Sequence, residues 1–153
     1  MRCFYFLALV AGLGGVAAAA YADEKADEKA LHELAGTYVL IGLEGKGLKI
    51  TEEMLKDVDA SERTIKIQGR EIIAVTKGKD DPAKFTIDPS KNPRHITITS
   101  TKNGRTETNY GIYEFKDGIL TICATDMGAE KDRPTKFEAS DNVLIIRLKK
   151  QVK

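Results

Sequence analysis

The chain of 153 residues has no tryptophan, two cysteines and two histidines, and these shortages exclude several kinds of site. The cysteines and histidines form no H-x-H, C-x-x-C or H-E-x-x-H spacing, so the sequence predicts no metal site and no other cofactor. Cys3 lies near the N-terminus, and Cys123 alone remains in the body of the chain, which excludes an internal disulfide there. No nucleophile has a recognisable base beside it, so we predict that the protein is not an enzyme.

A surplus of charge of one sign is also missing. Lysine and arginine number 24 against 23 aspartates and glutamates, and removal of an N-terminal segment containing Arg2 leaves 23 against 23. Nucleic acids and anionic lipids attract proteins through a basic surplus, which this chain lacks. We therefore expect no nucleic-acid partner and, once the N-terminal segment is removed, no membrane association. Neither charge nor composition indicates an oligomeric state.

Long apolar runs are confined to the N-terminus. Arg2 precedes a continuously apolar or small stretch over Phe4–Ala20, and the residues at 20–22 read Ala-Tyr-Ala. This order is typical of a secretory signal peptide with an A-x-A cleavage site. A retained membrane anchor is the alternative, but an apolar run of about seventeen residues is marginal for spanning a bilayer. The sequence therefore predicts a signal peptide over residues 1–22 and a secreted or periplasmic protein.

Residues 23–33 contain a repeated Ala-Asp-Glu-Lys. The period of four places like charges at i and i+4, which weakens an isolated helix. We interpret this segment as a charged, solvated tether, with helix only near Leu31 and Leu34, and a docking tail for a partner is the alternative. Residues 34–153 then form a single domain of a size that supports one hydrophobic core.

Short stretches of alternating apolar residues recur through this domain between Gly, Asn, Asp and Pro turns. The predicted strands span 37–43, 64–68, 71–76, 84–87, 95–101, 106–116, 119–123, 135–139 and 143–149. Residues 51–58 are predicted as a short helix, because Thr51 is a good N-cap and two acids follow in the first turn. Eight or nine short strands at hairpin spacing, with one short helix near the N-terminus, are typical of an all-β antiparallel barrel or sandwich.

The densest apolar stretch of the domain runs over residues 110–123 and turns at Asp117-Gly118. Asp-Gly between alternating apolar residues indicates a two-residue type I′ hairpin, which would pair Lys116 with Ile119. The side chains that would then share one face are apolar or small: Gly111, Tyr113, Phe115, Leu120, Ile122 and Ala124. A three-residue loop is the alternative, but it would move Cys123 onto this face and separate polar from apolar side chains less well.

Two residues of this hairpin are predicted to have special structural roles. Gly111 indicates a bend, or a place where another side chain packs on the backbone. Cys123 has no obvious base beside it, since His95 lies on another strand, so we predict a buried and unreactive thiol.

Several short blocks occur in a fixed order along the chain. They are Gly36-Thr37-Tyr38, Asp88-Pro89, Pro93-Arg94-His95-Ile96, Tyr110-Gly111-Ile112-Tyr113-Glu114 and Arg133-Pro134-Thr135-Lys136-Phe137. In this order they resemble a planctomycete-type family of uncharacterised secreted domains that is similar to lipocalins. The resemblance covers nearly all of the chain after the signal peptide. It implies a lipocalin-like, up-and-down barrel, and it implies no activity, because none is assigned to the family.

The resemblance also implies a contact that closes one end of the barrel. In lipocalins an arginine from the last strand covers the aromatic ring of a G-x-W motif, and here Tyr38 takes the tryptophan position while Arg147 lies in the last strand. The alternative is that Arg147 is a solvated charge on the outer face. Arg133 is the next candidate. Its guanidinium suits a carboxylate or phosphate ligand, but we favour pairing with a nearby acid, which could be Glu130, Asp132 or Glu138.

Two functions remain open at this stage. One is a module that binds a small apolar or amphipathic ligand, and the other is a structural or protein-interaction domain with a filled barrel and no ligand. Fold alone does not separate them, because an eight-stranded barrel is either filled or wide enough for one ligand. Many large inward side chains without a cavity would favour the second. The sequence indicates no ligand-binding residues, only structural ones: Tyr38, Gly111, Tyr113, Phe115, Cys123, Arg133, Phe137 and Arg147.

The signal-peptide prediction has a direct test. We expect the exported protein to begin near Asp23, because cleavage follows the A-x-A sequence. Intact-mass spectrometry of exported protein measures the N-terminus, and a mass that includes Met1 would contradict the prediction.

Overall fold

The computed structural model describes the backbone of residues 15–76, 78–126 and 128–152, and side chains from Glu24 onward. One α-helix, α1 (Gly15–Leu34), precedes nine strands within these ranges. The strands are β1 (Gly36–Gly45), β2 (Leu48–Ile50), β3 (Thr64–Gln68), β4 (Glu71–Thr76), β5 (Lys79–Asp88), β6 (Arg94–Lys102), β7 (Arg105–Lys116), β8 (Ile119–Thr125) and β9 (Val143–Lys150).

The strands form a closed antiparallel barrel. From β3 to β9 each strand pairs with the next, and β1 pairs with both β3 and β9, which closes an eight-stranded ring. Among the described strands, β2 pairs with β1 alone and lies outside the ring as an extra strand. The prediction of an all-β, antiparallel, up-and-down barrel is therefore confirmed over the sandwich alternative.

The central hairpin has the predicted register. Lys116 pairs with Ile119 and Gly111 with Ala124. Asp117 and Gly118 have φ angles of 53° and 75°, and positive φ at both central positions is what a type I′ turn requires. The turn chemistry thus fixes which side chains of β7 and β8 point into the barrel.

Inward side chains fill the barrel. The buried residues form one cluster: Ala30, Leu34, Tyr38, Ile67, Phe85, Ile87, Ile96, Tyr113, Leu120, Ile122, Ala124 and Leu148. Ala30 and Leu34 belong to α1, so the C-terminal part of the helix covers one end of the barrel. Burying each Leu, Ile or Phe side chain contributes about 1.5–3 kcal/mol, so this cluster is the main source of stability.

The helix lies in a different place from the one predicted. Residues 23–33 are part of α1 rather than a solvated tether, because Ala30, Leu31 and Leu34 form an apolar stripe that packs on the barrel end. Burial of this stripe outweighs the repulsion between like charges at i and i+4. Residues 51–58 form successive turns instead of an α-helix, with bonds such as Leu55 N to Glu52 O at 3.2 Å. None of the described helical residues forms a stretch both long and apolar enough to cross a membrane.

One predicted strand does not form, and another begins earlier than predicted. Residues 135–139 form a loop across the outside of the barrel, because Phe137 packs onto apolar side chains there instead of joining a sheet. β5 begins at Lys79 and includes Pro82, whereas the predicted strand began at residue 84. The β5–β6 ladder ends at Lys84, so the N–H group that Pro82 lacks costs no hydrogen bond to β6.

Gly111 occupies a position where the backbone of β7 and a neighbouring strand approach closely. A Cβ atom added at Gly111 would lie 2.6 Å from the Cys123 carbonyl oxygen and 2.7 Å from the Ala124 Cβ atom. Both contacts are shorter than real Cβ contacts allow, and neither atom belongs to a flexible side chain. The expectation that something packs on the backbone here is borne out.

We therefore expect Gly111→Ala to lower the free energy of unfolding by about 1–3 kcal/mol, the usual cost of overpacking. Gly42→Ala in β1 is the matched control, because its Cβ would meet no atom closer than 3.5 Å. The control should leave the free energy of unfolding unchanged or raise it by up to about 1 kcal/mol. Urea denaturation measures both, and equal effects of the two substitutions would contradict the prediction.

Candidate functional site

Several polar side chains meet the helix at the end of the barrel that α1 covers. The last carbonyl groups of a helix have no partner within the helix. Here the Tyr38 hydroxyl donates to Leu34 O at 2.7 Å, and Lys150 Nζ donates to Glu33 O at 2.8 Å. A cation at this position also suits the negative end of the helix dipole. Two barrel side chains thus hold the C-terminus of α1.

Tyr38 is fully buried beneath this junction. Burial, helped by the negative charge of Glu33, raises the pKa of Tyr38 to about 12, so the hydroxyl stays a donor at neutral pH. The cation over its ring is Lys150, whose Nζ lies 5.8 Å from the Tyr38 centroid and 5.5 Å from that of Phe115. The Tyr38 ring is therefore covered by a cation, but not by the predicted one.

The prediction that Arg147 covers Tyr38 is wrong. Leu148 points into the barrel, so the preceding residue points outward, and the Arg147 guanidinium lies 3.4 Å from Glu44 Oε2. Lys150 lies two residues after Leu148 and opposite Tyr38 in the β1–β9 ladder, which puts its side chain on the inner side. The alternative of an outer-face charge was correct for Arg147.

Arg133 does not replace it, because this residue fastens the β8–β9 loop to the outside of the barrel. Its Nη1 donates to Ile96 O and Gly111 O, both at 2.7 Å, and its guanidinium carbon lies 5.3 Å from the Tyr110 ring centroid. Glu130 lies 3.6 Å away, so pairing with an acid is observed, although backbone carbonyls are the closer partners. The side chain is only 10% exposed, which leaves little surface for a ligand.

Cys123 lies under the same loop. It forms a small buried cluster with Ile112 and Ile145, against which Phe137 packs, and burial raises the pKa of its thiol. His95 pairs with Ile112, and Ile112 pairs with Cys123. Two strand spacings, about 10 Å, therefore separate the imidazole-bearing strand from the thiol-bearing strand, too far for a nucleophile–base pair.

Tyr113 is buried near the same end of the barrel as Tyr38, but its environment is different. It is 1% exposed, and its hydroxyl meets no described group at full hydrogen-bond geometry. Burial raises the pKa of Tyr113, the positive charge of Arg94 and a weak hydrogen bond from its guanidinium lower it, and the carboxylates of Glu33 and Asp27 raise it. A guanidinium can only donate, so no described group accepts the Tyr113 hydroxyl proton.

Two ion pairs join α1 to the rim of the barrel. Arg94 Nη1 lies 3.5 Å from Glu33 Oε2, and Arg70 Nη2 lies 3.6 Å from Asp27 Oδ2. All four side chains are about a third to a half exposed, and pairs of this kind contribute at most about 1 kcal/mol each. The ion pairs orient the helix but do not lock it.

A crevice of about 380 Å³ opens beside this rim, and we call it the end crevice. Its apolar walls are Pro93, Phe115 and Phe137, and its basic groups are Arg94 and Lys116. Asn92, Tyr113 and Glu114 complete the lining. The end crevice therefore combines aromatic surface with two cations, one of which also contacts the helix.

The structure brings together only some of the predicted site residues. Tyr38, Tyr113 and Phe115 meet at the helix-covered end, whereas Gly111, Cys123, Arg133, Phe137 and Arg147 have contacts on or across the barrel wall. Sequence reasoning missed Glu33, Arg94 and Lys150. The alternation of β9 indicated Lys150, because this residue lies on the same face of the strand as Leu148. The roles of Glu33 and Arg94 depend on how α1 docks, which no local pattern indicates.

No protein-family model, curated protein or solved structure matches the chain. The resemblance to the planctomycete-type family therefore stays a prediction that its sequence blocks alone carry.

The environment of Cys123 gives a testable expectation. In a Cys3→Ser background, native Cys123 should react with a neutral-pH thiol reagent at least about 100-fold more slowly than a peptide thiol, since an opening free energy of ~3 kcal/mol gives this factor. Phe137→Ala should speed the reaction because it uncovers the thiol, whereas Lys136→Ala, an exposed neighbour, should not. Labelling of the native protein at the rate of a peptide thiol would rule out the burial of Cys123.

Proposed function

We propose that the protein is an exported, lipocalin-like binding domain in which the filled barrel is the scaffold and the end crevice holds a small amphipathic ligand. Export rests on the signal-peptide pattern of residues 1–22. The observation that carries the binding proposal is the end crevice itself. Its volume of about 380 Å³ falls in the range of small-molecule sites, and its lining has the usual mixture of aromatic surface and a few convergent polar groups.

The interior of the barrel is not the proposed site. Inward side chains from the strands and from α1 pack as one cluster, which includes both Tyr38 and Tyr113. A ligand inside would have to displace this core, at a cost of about 2–5 kcal/mol for each large side chain that loses its packing. The end crevice needs no such displacement, which is why we assign the ligand to the rim.

The chemistry of the end crevice favours a ligand with an apolar body and an acidic group. Phe115, Phe137 and Pro93 offer the apolar surface, and Arg94 offers a planar fork of donors that fits a carboxylate. Lys116 adds a second positive charge at the same wall. We assign binding to the end crevice, and the Cys123 thiol lies apart from it, buried under the β8–β9 loop.

A second candidate function is a structural or protein-interaction domain with no ligand. The filled interior favours it, because a packed barrel is stable without any bound molecule. The two candidates differ in what the end crevice does: in the second it is an ordinary surface groove.

A titration with octanoate, observed by two-dimensional NMR, separates the two candidates. We expect saturable shifts at the amides of Arg94, Glu114 and Lys116, and Lys116→Gln should weaken binding about two- to fivefold, as for an exposed ion pair. Lys66→Gln makes the same chemical change on the distant strand β3 and should leave the affinity unchanged. Absence of saturable shifts at the end crevice would refute the binding proposal and favour the ligand-free domain.

A further inference from the structure

We infer that the ligand of the end crevice is an anion that replaces the Glu33 carboxylate on Arg94 and accepts a hydrogen bond from the Tyr113 hydroxyl, so that α1 acts as a built-in competitor. This inference rests on the proposed binding function and deepens it. It names the chemical class of the ligand, a carboxylate or similar acid with an apolar body, and the element that opposes its binding.

The Tyr113 hydroxyl is the first observation behind this inference. Buried tyrosines normally find a hydrogen-bond partner, and Tyr38 at the same end does so through Leu34 O at 2.7 Å. Tyr113 is equally buried, but no described residue accepts its proton. A buried hydroxyl without an acceptor costs free energy, which an arriving anion would recover. The neighbouring groups whose charges reach the hydroxyl are Arg94, Glu33 and Asp27.

Arg94 is the second observation, because it belongs to both the helix junction and the end crevice. Its guanidinium contacts Glu33 at 3.5 Å, and its carbon lies 6.0 Å from the Tyr113 ring centroid. A guanidinium has five N–H donors, and this contact uses one of them at a distance longer than a good charge-assisted hydrogen bond. An acid arriving from the end crevice can therefore take over Arg94 by exchanging one carboxylate for another.

The sign of the ligand follows from the charges around the rim. Arg70, Arg94 and Lys150 all point their cationic groups at acidic or carbonyl oxygens of α1, and Lys116 lies on the wall of the end crevice. Displacement of the Glu33 carboxylate leaves Arg94 without this partner. An anionic ligand restores the lost pairing, whereas a cationic ligand adds repulsion.

Competition between ligand and helix must be reciprocal. The Tyr113 hydroxyl is buried, so an anion reaches it beside Arg94 only after the Glu33 carboxylate has left the guanidinium. Whatever weakens the Glu33–Arg94 contact therefore strengthens ligand binding by the same factor, as thermodynamic linkage requires. The inference thus predicts an affinity that rises when Glu33 loses its charge.

The test compares octanoate with 1-octanol, a neutral probe of the same chain length, by NMR titration of four proteins. Glu33→Gln should raise the octanoate affinity about three- to tenfold relative to wild type and leave the octanol affinity unchanged. Glu28→Gln makes the same change at an exposed position on α1 and should alter neither affinity. Tyr113→Phe should lower the octanoate affinity several-fold while leaving the urea midpoint unchanged or higher, because it removes an unpartnered hydroxyl.

The other outcomes distinguish failure of the inference from failure of the proposed function. If octanoate binds in the end crevice with equal affinity to the Glu33→Gln and Glu28→Gln proteins, or if octanol binds as tightly as octanoate, the inference is overturned and the binding function stands. A lower urea midpoint for Tyr113→Phe also overturns it, because the hydroxyl then has an acceptor in the ligand-free protein. If neither probe binds to any of the four proteins, the proposed function itself fails.

Discussion

The hydrogen bond from the Tyr38 hydroxyl to Leu34 O joins the two constraints that shape this molecule, barrel closure and helix docking. Tyr38 lies on β1, the strand that closes the ring by pairing with both β3 and β9. Its neighbour across the ladder, Lys150, holds the preceding carbonyl of the helix. The position of α1 is therefore set by the same strand pair that closes the barrel, and any change in the β1–β9 register would release the helix C-terminus.

This coupling explains why a segment with poor intrinsic helix stability is helical. The repeated Ala-Asp-Glu-Lys sequence puts like charges one turn apart, and an isolated helix of such a sequence is marginal. Ala30 and Leu34 gain burial only when the barrel end is formed, and the two carbonyl bonds are available only there. Tertiary contacts thus supply what local propensity lacks, and the helix is a consequence of the barrel.

The sequence was informative wherever local chemistry decides the structure. The type I′ turn at Asp117-Gly118 needs only its own residues, so the β7–β8 register was predictable. Prediction failed where distant groups decide: the helical state of 23–33, the course of 135–139 over the outer face, and the exchange of Arg147 for Lys150 at Tyr38. Three cations lie near the end of β9, Arg147, Lys149 and Lys150, and the inward packing of Leu148 puts only Lys150 on the inner side.

The candidate site lies at the helix-covered end of the barrel, where the two buried tyrosines are not equally satisfied. At the helix-covered end Tyr38 has an acceptor because the last turn of α1 is fixed against β1, whereas Tyr113 on β7 has none among the described residues. A helix with one anchored end cannot satisfy both hydroxyls, since its remaining contacts to the rim are exposed ion pairs of small energy. The proposed site lies on the side of the helix that exposed ion pairs hold, where Arg94 faces both Glu33 and the end crevice.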